Sequence, residues 1–527
     1  MLASQRVKDS EGNTVGFVVN GTFYTEDYIL ENIRYIENLS VTETGVISPE
    51  KELPEISYKE GIIEKLYRQK VQENPFVRDI QRQLSLWKKD PLHRVLQLEG
   101  SRQIGKTTEL QKFAYGNYEY VIYVNMASDV YDFKEVVRNG ARPLEFEKYC
   151  RKAGLPHFAD SKNTILIIDE IQQSAFVYNA IRTIEENISC DLIVTGSYLG
   201  RFLANIKSEK EEVFFSAGTI QQMKMYPLSF QEFSRIFGKE EELLNISLYG
   251  ESEAESYQRL LRLYEIYRQI GGYPAVVKEY MQNQNITDCH RVIESLLSVF
   301  RDESRNYFSN YFSNEVEVEL FDEIYDFTLT QMCVNHAGSD RDMLKNTAVI
   351  TEERLKNIIS TRELRNAVVW LKYSGIIDTC NLARDGKMSE QSAARKLYFQ
   401  DCGIAAYLAN NSGVADSILN GILTETFVFN ELQRLFSADY TQRKVKSRLH
   451  YGTYGSYELD FMLMDTEGNR YGIEVKTNAG DPKSLKVFIE KRLVDRGIVA
   501  KPTQGGHAES FDTIPIYTVG CRFPYKI

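Results

Sequence analysis

The chain lacks any run of apolar residues near the ~18 that a membrane-spanning helix needs, and its N-terminus lacks a signal-peptide pattern. No membrane role is therefore expected. Its seven cysteines are scattered, with no CxxC pair and no disulfide-like spacing, and its six histidines form no zinc-ligand cluster. These absences make a cytoplasmic, reducing setting the expectation. Positive charge is also short: 63 Lys and Arg against 74 Asp and Glu give a net charge of -11. A chain so balanced does not coat nucleic acid non-specifically, although a local basic site stays open. What is present is ordinary globular content, 43% hydrophobic and 26% charged, over 527 residues. A single core stops growing near ~250–300 residues, so several domains are expected.

The first chemical signal is a glycine-framed loop. Residues 93–100, HRVLQLEG, read as a buried strand in which Val95, Leu96 and Leu98 pack together before a glycine. Then comes G-x-x-x-x-G-K-T: Gly100, Ser101, Arg102, Gln103, Ile104, Gly105, Lys106 and Thr107, followed by Thr108. Glycines at these places let backbone N–H groups turn inward around phosphates. Lys106 then reaches the β- and γ-phosphates, and the Thr107 hydroxyl binds Mg²⁺. The helix that opens with KTTELQKFAY points its positive dipole end at the same anion. Strand, complete motif and helix in this order point to a bound phosphate group rather than to a plain glycine turn.

A metal-holding strand follows downstream. NTILIIDEIQQS places Ile165, Leu166, Ile167 and Ile168 directly before Asp169 and Glu170, as suits a central parallel strand covered on both faces. The carboxylates then emerge at the C-terminal strand end, where open α/β sheets bind ligands. Asp169 is expected to orient Mg²⁺ and Glu170 to polarise the attacking water. YVIYVNMAS and CDLIVTGSYLG supply two further strands. Thr195 and Ser197 end the second, placed either to sense the γ-phosphate or simply to make a turn.

Taken together, GSRQIGKTTEL, ILIIDEIQ, LIVTGS, YPLSFQEF, IGGYPAVV, LYFQDCGIAAYL and GILTETFVFNEL resemble a known family. It is that of the prokaryotic AAA+-type P-loop ATPases with a conserved C-terminal domain of unknown function. The resemblance implies an α/β multidomain chain: a P-loop NTPase parallel sheet, a helical lid, a winged-helix-like segment and a C-terminal α/β domain similar to PD-(D/E)xK (restriction-endonuclease-like) nucleases. It implies ATP binding and hydrolysis. Members often carry Gly-Arg before YPLSF, where this chain has Gly218-Thr219. An arginine acting on a neighbour's γ-phosphate is then missing from that place, with Arg201 and Arg102 as possible substitutes.

The expected divisions are 1–50, a small β-hairpin unit followed by a helix; 51–75, an extended linker; 76–225, the ATPase core; 226–315, the helical lid; 316–410, the winged-helix-like segment; and 411–527, the nuclease-like domain. In the first, SEGN and NG turns join alternating apolar segments. FRDESRNYFSNYFSNE, 300–315, either stacks bases or packs helices. In the winged-helix-like segment, VITEERLKNII and TRELRNAVVWLKYSGIID read as helices, and IIDTCNL and ARKLYFQD as wing strands around a polar turn. Arg362, Arg365 and Lys372 are available to contact DNA phosphates, or else the unit is a rigid spacer.

SYELDFMLMDTEGNRYGIEVKT reads as a hairpin. Period-two geometry puts Glu458 and Asp460 on one face, and likewise Glu474 and Lys476. A three-residue loop, Thr466-Glu467-Gly468, sets Asp460 opposite Glu474; a two-residue loop would put them on opposite faces. So arranged, Asp460 and Glu474 could chelate Mg²⁺ at a scissile phosphate while Lys476 stabilises developing charge. A further acid is offered by LTETFVFNELQRLF. Glu425, on its apolar face and matching the family's glutamate, is favoured over Glu431. Arg443, Lys444, Lys446 and Arg448 could hold a backbone. Alternatively the acid–lysine pairs are plain ion pairs and the fold is a binding platform.

The resulting expectation is a Mg²⁺-dependent ATP hydrolase acting as a switch on a nucleic-acid-directed domain, with DNA, RNA or a protein as partner and oligomerisation possible. Two alternatives stay open: a nucleotide-gated binding module that cuts nothing, and a metal-dependent nuclease for which ATP is permissive.

Overall fold

Alternating or continuous apolar runs place the strands of three sheets in this computed structural model. It describes all residues except 1, 9–13, 20–21, 26–38, 42–57, 198–219, 312–318, 337–360, 390–394, 436–447, 478–479 and 523–527. The chain falls into two compact units. Met1–Phe76, Ile80–Glu99 and Gly105–Met223 form the first; Val77–Asp79, Gly100–Ile104 and Lys224–Ile527 form the second.

In the first unit, strands β1 (Leu2–Lys8), β2 (Thr14–Val19), β3 (Thr22–Thr25) and β4 (Leu39–Val41) make a sheet of order β3-β2-β1-β4. β2 and β3 pair antiparallel from Gly16–Thr25 to Val19–Thr22, and the NG turn read from the sequence lies outside the described residues. β4 adds a parallel neighbour to β1 that the hairpin reading did not contain. The helix expected after the hairpins lies outside the described residues.

The extended part read through 48–57 lies outside the described residues, and Tyr58–Glu73, within the stretch expected as a linker, is helical. Its composition masked it: few apolar residues alternate, and side-chain pairs such as Glu64 with Arg68 (2.5 Å) and Lys70 with Glu73 (2.9 Å) support the turns instead.

The larger sheet of this unit is built from β5 (Val95–Glu99), β6 (Tyr120–Asn125), β7 (Thr164–Asp169), β8 (Asp191–Thr195) and β9 (Ile220–Lys224), in the order β6-β7-β8-β5-β9. β6 with β7, β7 with β8 and β8 with β5 pair in parallel. β7 is buried from end to end, as a strand covered on both faces by helices must be. Its Leu166 and Ile168 share a core with Ile122, Val124, Phe133, Phe146 and Val194. Because β8 lies between β5 and β7, three strand ends come side by side: the one feeding the glycine loop, the one ending at Thr195, and the one ending at Asp169.

The second unit opens with helices, as read from the sequence over 226–315: Phe230–Ile236, Glu240–Asn245, Ala254–Ile270, Pro274–Asn283 and Ile286–Tyr311. Helices Glu319–His336 and Thr361–Tyr373 follow. Then come β10 (Ile377–Arg384), β11 (Lys387–Met388) and β12 (Arg395–Phe399). β10 and β12 pair antiparallel from Ile377–Phe399 to Asn381–Arg395, the hairpin expected of a wing.

The hairpin is not separate, however. β10 also pairs in parallel with β13 (His450–Tyr454), so the sheet runs across the boundary expected near 410. The cause is burial: Ile377 to Asn381 are all inside, which a wing open to water on one face would not allow. The segment 349–359 and the side chains of Arg362 and Arg365 lie outside the described residues. Lys372 donates to Thr379 (2.7 Å) and pairs with Asp378 (2.9 Å), so its charge is engaged within the protein.

The sheet continues through β14 (Tyr457–Met464), β15 (Arg470–Val475), β16 (Arg496–Lys501), β17 (Gly506–His507) and β18 (Asp512–Pro515). The order is β11-β10-β13-β14-β15-β16-β18-β17 with β12 beside β10. Helices Cys402–Asn411, Asp416–Arg434 and Lys483–Glu490 accompany it. The β14–β15 register runs from Met464–Arg470 to Phe461–Ile473, and Asp465 N–H donates to Asn469 O at 3.0 Å. The loop is therefore the three residues 466–468, with Gly468 left-handed at φ 96°. The pairing ends at Phe461–Ile473, and the register shift between β13 and β14 falls at Asp460 and Phe461, so the regular pairing of Asp460 with Glu474 expected from the sequence is not continued there.

Candidate functional site

β5 delivers the chain into the glycine loop with Leu96 and Leu98 wholly inside. Gly100 has φ 154°, and a Cβ there would lie 2.4 Å from the Met225 carbonyl oxygen, so the first glycine is required by close backbone approach. Gln103 and Gly105 are also at positive φ, 61° and 93°. Gly105 is the N-cap of helix Lys106–Asn117 and offers no side chain to its first turn, which holds Lys106, Thr107 and Thr108. A helix start of this kind presents amides and the positive end of the helix dipole to an anion.

The Thr107 Oγ1 donates to Asp169 Oδ2 at 2.7 Å, joining the helix start to the end of β7. Tyr123 OH donates to the same oxygen, also at 2.7 Å, and the Glu170 amide donates to Asp169 Oδ1 at 2.8 Å. Asp169 is thus held by three donors and only 2% exposed. Burial, with Asp169 alongside, pushes the Tyr123 phenol far up, which keeps it a donor. Glu170 sits at φ 50°, and its carboxylate accepts from Gln172 Nε2. A hydroxyl and a carboxylate oxygen this close are hard donors of the kind Mg²⁺ takes beside nucleotide phosphates, so these residues fit that ion.

Thr195 and Ser197 differ. The Thr195 hydroxyl donates to Leu98 O at 2.9 Å, tying β8 to β5. Ser197 Oγ is buried and has no hydrogen-bond partner among the described residues. Of the two, Ser197 is the one with a group to spare.

Residues Gly100–Ile104 pack within the second unit, an arrangement the sequence did not announce. Tyr273 OH donates to Ser101 Oγ at 3.1 Å, Arg78 Nη1 donates to Ile104 O at 3.1 Å, and Arg102 forms an ion pair with Glu303. A Cβ on Gly375 would stand 3.1 Å from both the amide nitrogen and the Cβ of Ser101. Tyr273 belongs to the IGGYP segment, whose two glycines are equally constrained. Gly272 N–H donates to Asp401 Oδ2 (2.8 Å), and its carbonyl accepts from Leu228 N–H (2.7 Å). Arg201, the other candidate for the arginine role, lies outside the described residues, as do Gly218 and Thr219.

In the C-terminal part, Glu425 is buried on helix Asp416–Arg434 and contacted by three partners. Tyr398 OH donates to it, His336 Nε2 stands 3.0 Å away, and Lys396 Nζ 3.7 Å away. Burial pushes its carboxyl up, but Lys396 and His336 outweigh this and bring it to about 2. Asp460, pushed up by burial and then by the Glu425 charge, reaches about 7 while accepting from Val475 N–H at 2.7 Å. Glu474 pairs with Lys476 at 2.7 Å and accepts from Leu485 N–H at 2.8 Å.

Glu431 has another task, accepting from Phe230 N–H at 3.1 Å and pairing with Arg434. Among the described residues no three His, Cys, Asp or Glu side chains come together as a metal ion would need. The acids expected to converge on Mg²⁺ are each engaged by amides or cations of the chain, and as a set they do not fit the ion. Arg443, Lys444 and Lys446 lie outside the described residues; Arg448 is exposed. Lys396, His336 and Tyr398 were missed in the sequence because nothing local joins them to Glu425.

Residues 92–234 match the model of a AAA domain. This stretch is similar to a AAA domain, and the loop, Thr107, Asp169 and Ser197 lie within it. Residues 261–415 and 420–518 match two domains of unknown function, DUF8612 and DUF4143. Comparison with curated proteins finds no match. Among solved structures the chain is similar to the Walker-type ATPase PABY2304 of Pyrococcus abyssi, at 14% identity over 63% of this chain and 95% of that one, TM-score 0.36. It is also similar to the RuvB Holliday junction branch migration motor of Thermotoga maritima, at 13% identity over 57% and 89%, TM-score 0.23. A third is C. elegans PCH-2, at 11% identity over 48% and 75%, TM-score 0.21. Alignments this loose carry no weight, and the assignment rests on the AAA match and the site geometry. Among the described residues no helix is long and apolar enough to cross a membrane.

Proposed function

We propose that this chain is a Mg²⁺-dependent ATP hydrolase whose nucleotide state governs the C-terminal region, which is directed to nucleic acid or to a protein partner. The observation that carries the hydrolase reading is the 2.7 Å contact of Thr107 with Asp169, a hydroxyl from the loop helix and a carboxylate from the neighbouring acidic strand. In this reading the amides of 100–108 and the Lys106 ammonium bind the phosphates, and Thr107 and Asp169 hold Mg²⁺, which neutralises charge on them. Glu170 orients the attacking water and accepts its proton once its carboxylate turns from Gln172. Ser197 offers its free hydroxyl to the γ-phosphate. Phosphate release by wild type, Lys106→Ala and Glu170→Gln tests this: both variants should fall at least ~100-fold, with Glu170→Gln still binding ATP. Undiminished turnover in Lys106→Ala would overturn the reading.

A second reading, a nucleotide-gated binding module that cleaves nothing, is favoured by the internal pairing of Glu425 and Glu474 with Lys396, His336 and Lys476. The metal-dependent nuclease reading has in its favour that Asp460, Glu474 and Lys476 lie on or beside the paired strands β14 and β15, and that same internal ion pairing against it. Incubating the full chain with labelled DNA and RNA in Mg²⁺ or Mn²⁺ separates the two. Dependence of ATP turnover on protein concentration would reveal an arginine supplied by a neighbouring copy.

A further inference from the structure

The C-terminal cluster is assembled from two stretches of chain. Its carboxylates, Glu425, Glu458 and Asp460, fall within 420–518, whereas Lys396, Tyr398 and His336 fall within 261–415. The shared sheet links Lys396 and Tyr398 on β12 to Glu458 and Asp460 on β14, because β12 pairs with β10, β10 with β13, and β13 with β14, while helices Asp416–Arg434 and Glu319–His336 carry Glu425 and His336.

Lys396 Nζ lies 2.8 Å from Glu458 and 3.7 Å from Glu425, and 5.0 Å from the centre of the Tyr451 ring. Its side chain is only 10% exposed. Glu425 has its Oε1 against Tyr398 and Lys396 and its Oε2 against His336. A divalent ion entering here would have to displace the ammonium from Glu458 and Glu425. It would then find too few free oxygens, since Asp460 is bonded to an amide and Glu474 to Lys476. Mg²⁺ dehydrates reluctantly and demands near-octahedral oxygen ligands, so a tethered ammonium already in place is hard for it to replace. A carboxylate buried as Glu425 is needs compensating charge, which Lys396 supplies together with His336.

We propose that Lys396 is the resident cation of this carboxylate cluster, standing where a nuclease would hold a divalent metal, so that the C-terminal site takes up no such ion. The proposal is independent of ATP hydrolysis.

The test uses the full chain carrying Asp169→Asn, to silence the nucleotide-site ligand, without nucleotide, and follows free Mn²⁺ by electron paramagnetic resonance. No stoichiometric uptake is expected below about 1 mM. One bound equivalent that disappears on adding Asp460→Asn would overturn the proposal. In the same background, Lys396→Arg should fold and still exclude Mn²⁺. Lys396→Gln should either take up one Mn²⁺ at least tenfold more tightly than its parent or melt at a clearly lower temperature, because Glu458 has lost its cation and Glu425 one of its two. A Lys396→Gln chain that does neither would sink the idea.

Discussion

Thr195 and Ser197 stand two residues apart at the end of β8, yet their hydroxyls do different things, and substitution should separate them. Thr195→Val removes a buried hydrogen bond to Leu98 O and should cost ~1 kcal/mol in thermal or denaturant unfolding, with ATP affinity little changed. Ser197→Ala removes a hydroxyl with no partner among the described residues, so stability should hold within ~0.5 kcal/mol. Its kcat for ATP should fall ~10–100-fold if the hydroxyl meets the γ-phosphate. Equal losses of stability in the two variants would refute the distinction. Gly272 makes a steric point at the same scale: a Cβ there would lie 2.2 Å from Leu228 O, backbone that cannot swing aside. Gly272→Ala should therefore destabilise by at least ~1–3 kcal/mol in a melting experiment, far beyond a surface change.

At the scale of elements, helix Phe230–Ile236 shows how a local signal gains a distant partner. Ser229 and Glu232 form a capping box, the Ser side chain accepting from the Glu232 amide at 3.1 Å and the Glu side chain from the Ser229 amide at 2.8 Å. Glu232 also receives Arg78 Nε at 3.0 Å and the Asp79 amide at 2.7 Å, so one carboxylate fastens the helix start to a segment remote in sequence. Burial alone would raise the Glu232 carboxyl, but Arg78 and the amides outweigh it, and the net shift is downward from the ordinary 4.5.

A folded-state value below the unfolded one stabilises the protein above the unfolded value, and that contribution is lost as pH falls through the folded value. Arg78→Ala leaves the Glu232 charge buried without its cation and should cost ~3–5 kcal/mol at neutral pH. Acid titration of stability checks the sign: below pH 4.5 the wild type should lose stability faster than Arg78→Ala, and parallel curves would contradict the pairing.

For the whole molecule, a net charge of -11 and the internal use of Lys372 and Lys396 leave little cation surplus for a phosphate backbone. Binding to random duplex DNA at ~150 mM salt should be no tighter than ~10⁻⁶ M by fluorescence anisotropy. A tighter value would overturn this expectation. The nine-stranded sheet also changes how the chain divides: it carries strands from both matched domains of unknown function, so neither stretch owns a complete sheet.

The glycine loop, the acidic strand and the β14–β15 register were legible in the amino-acid order because each depends on neighbours within a few residues. Backbone turns, strand burial and a three-residue loop are local physics, and the chain alone determined them. The helix at Tyr58–Glu73 escaped because polar pairs rather than an apolar stripe support it. Only the tertiary structure decided that Tyr123 secures Asp169, that Tyr273 and Gly375 brace Ser101, and that Lys396 and His336 neutralise Glu425. The reason is that charge and hydrogen-bond partners are chosen by distance in space. Sheet pairing between remote strands sets that distance, and no periodicity along the chain encodes it.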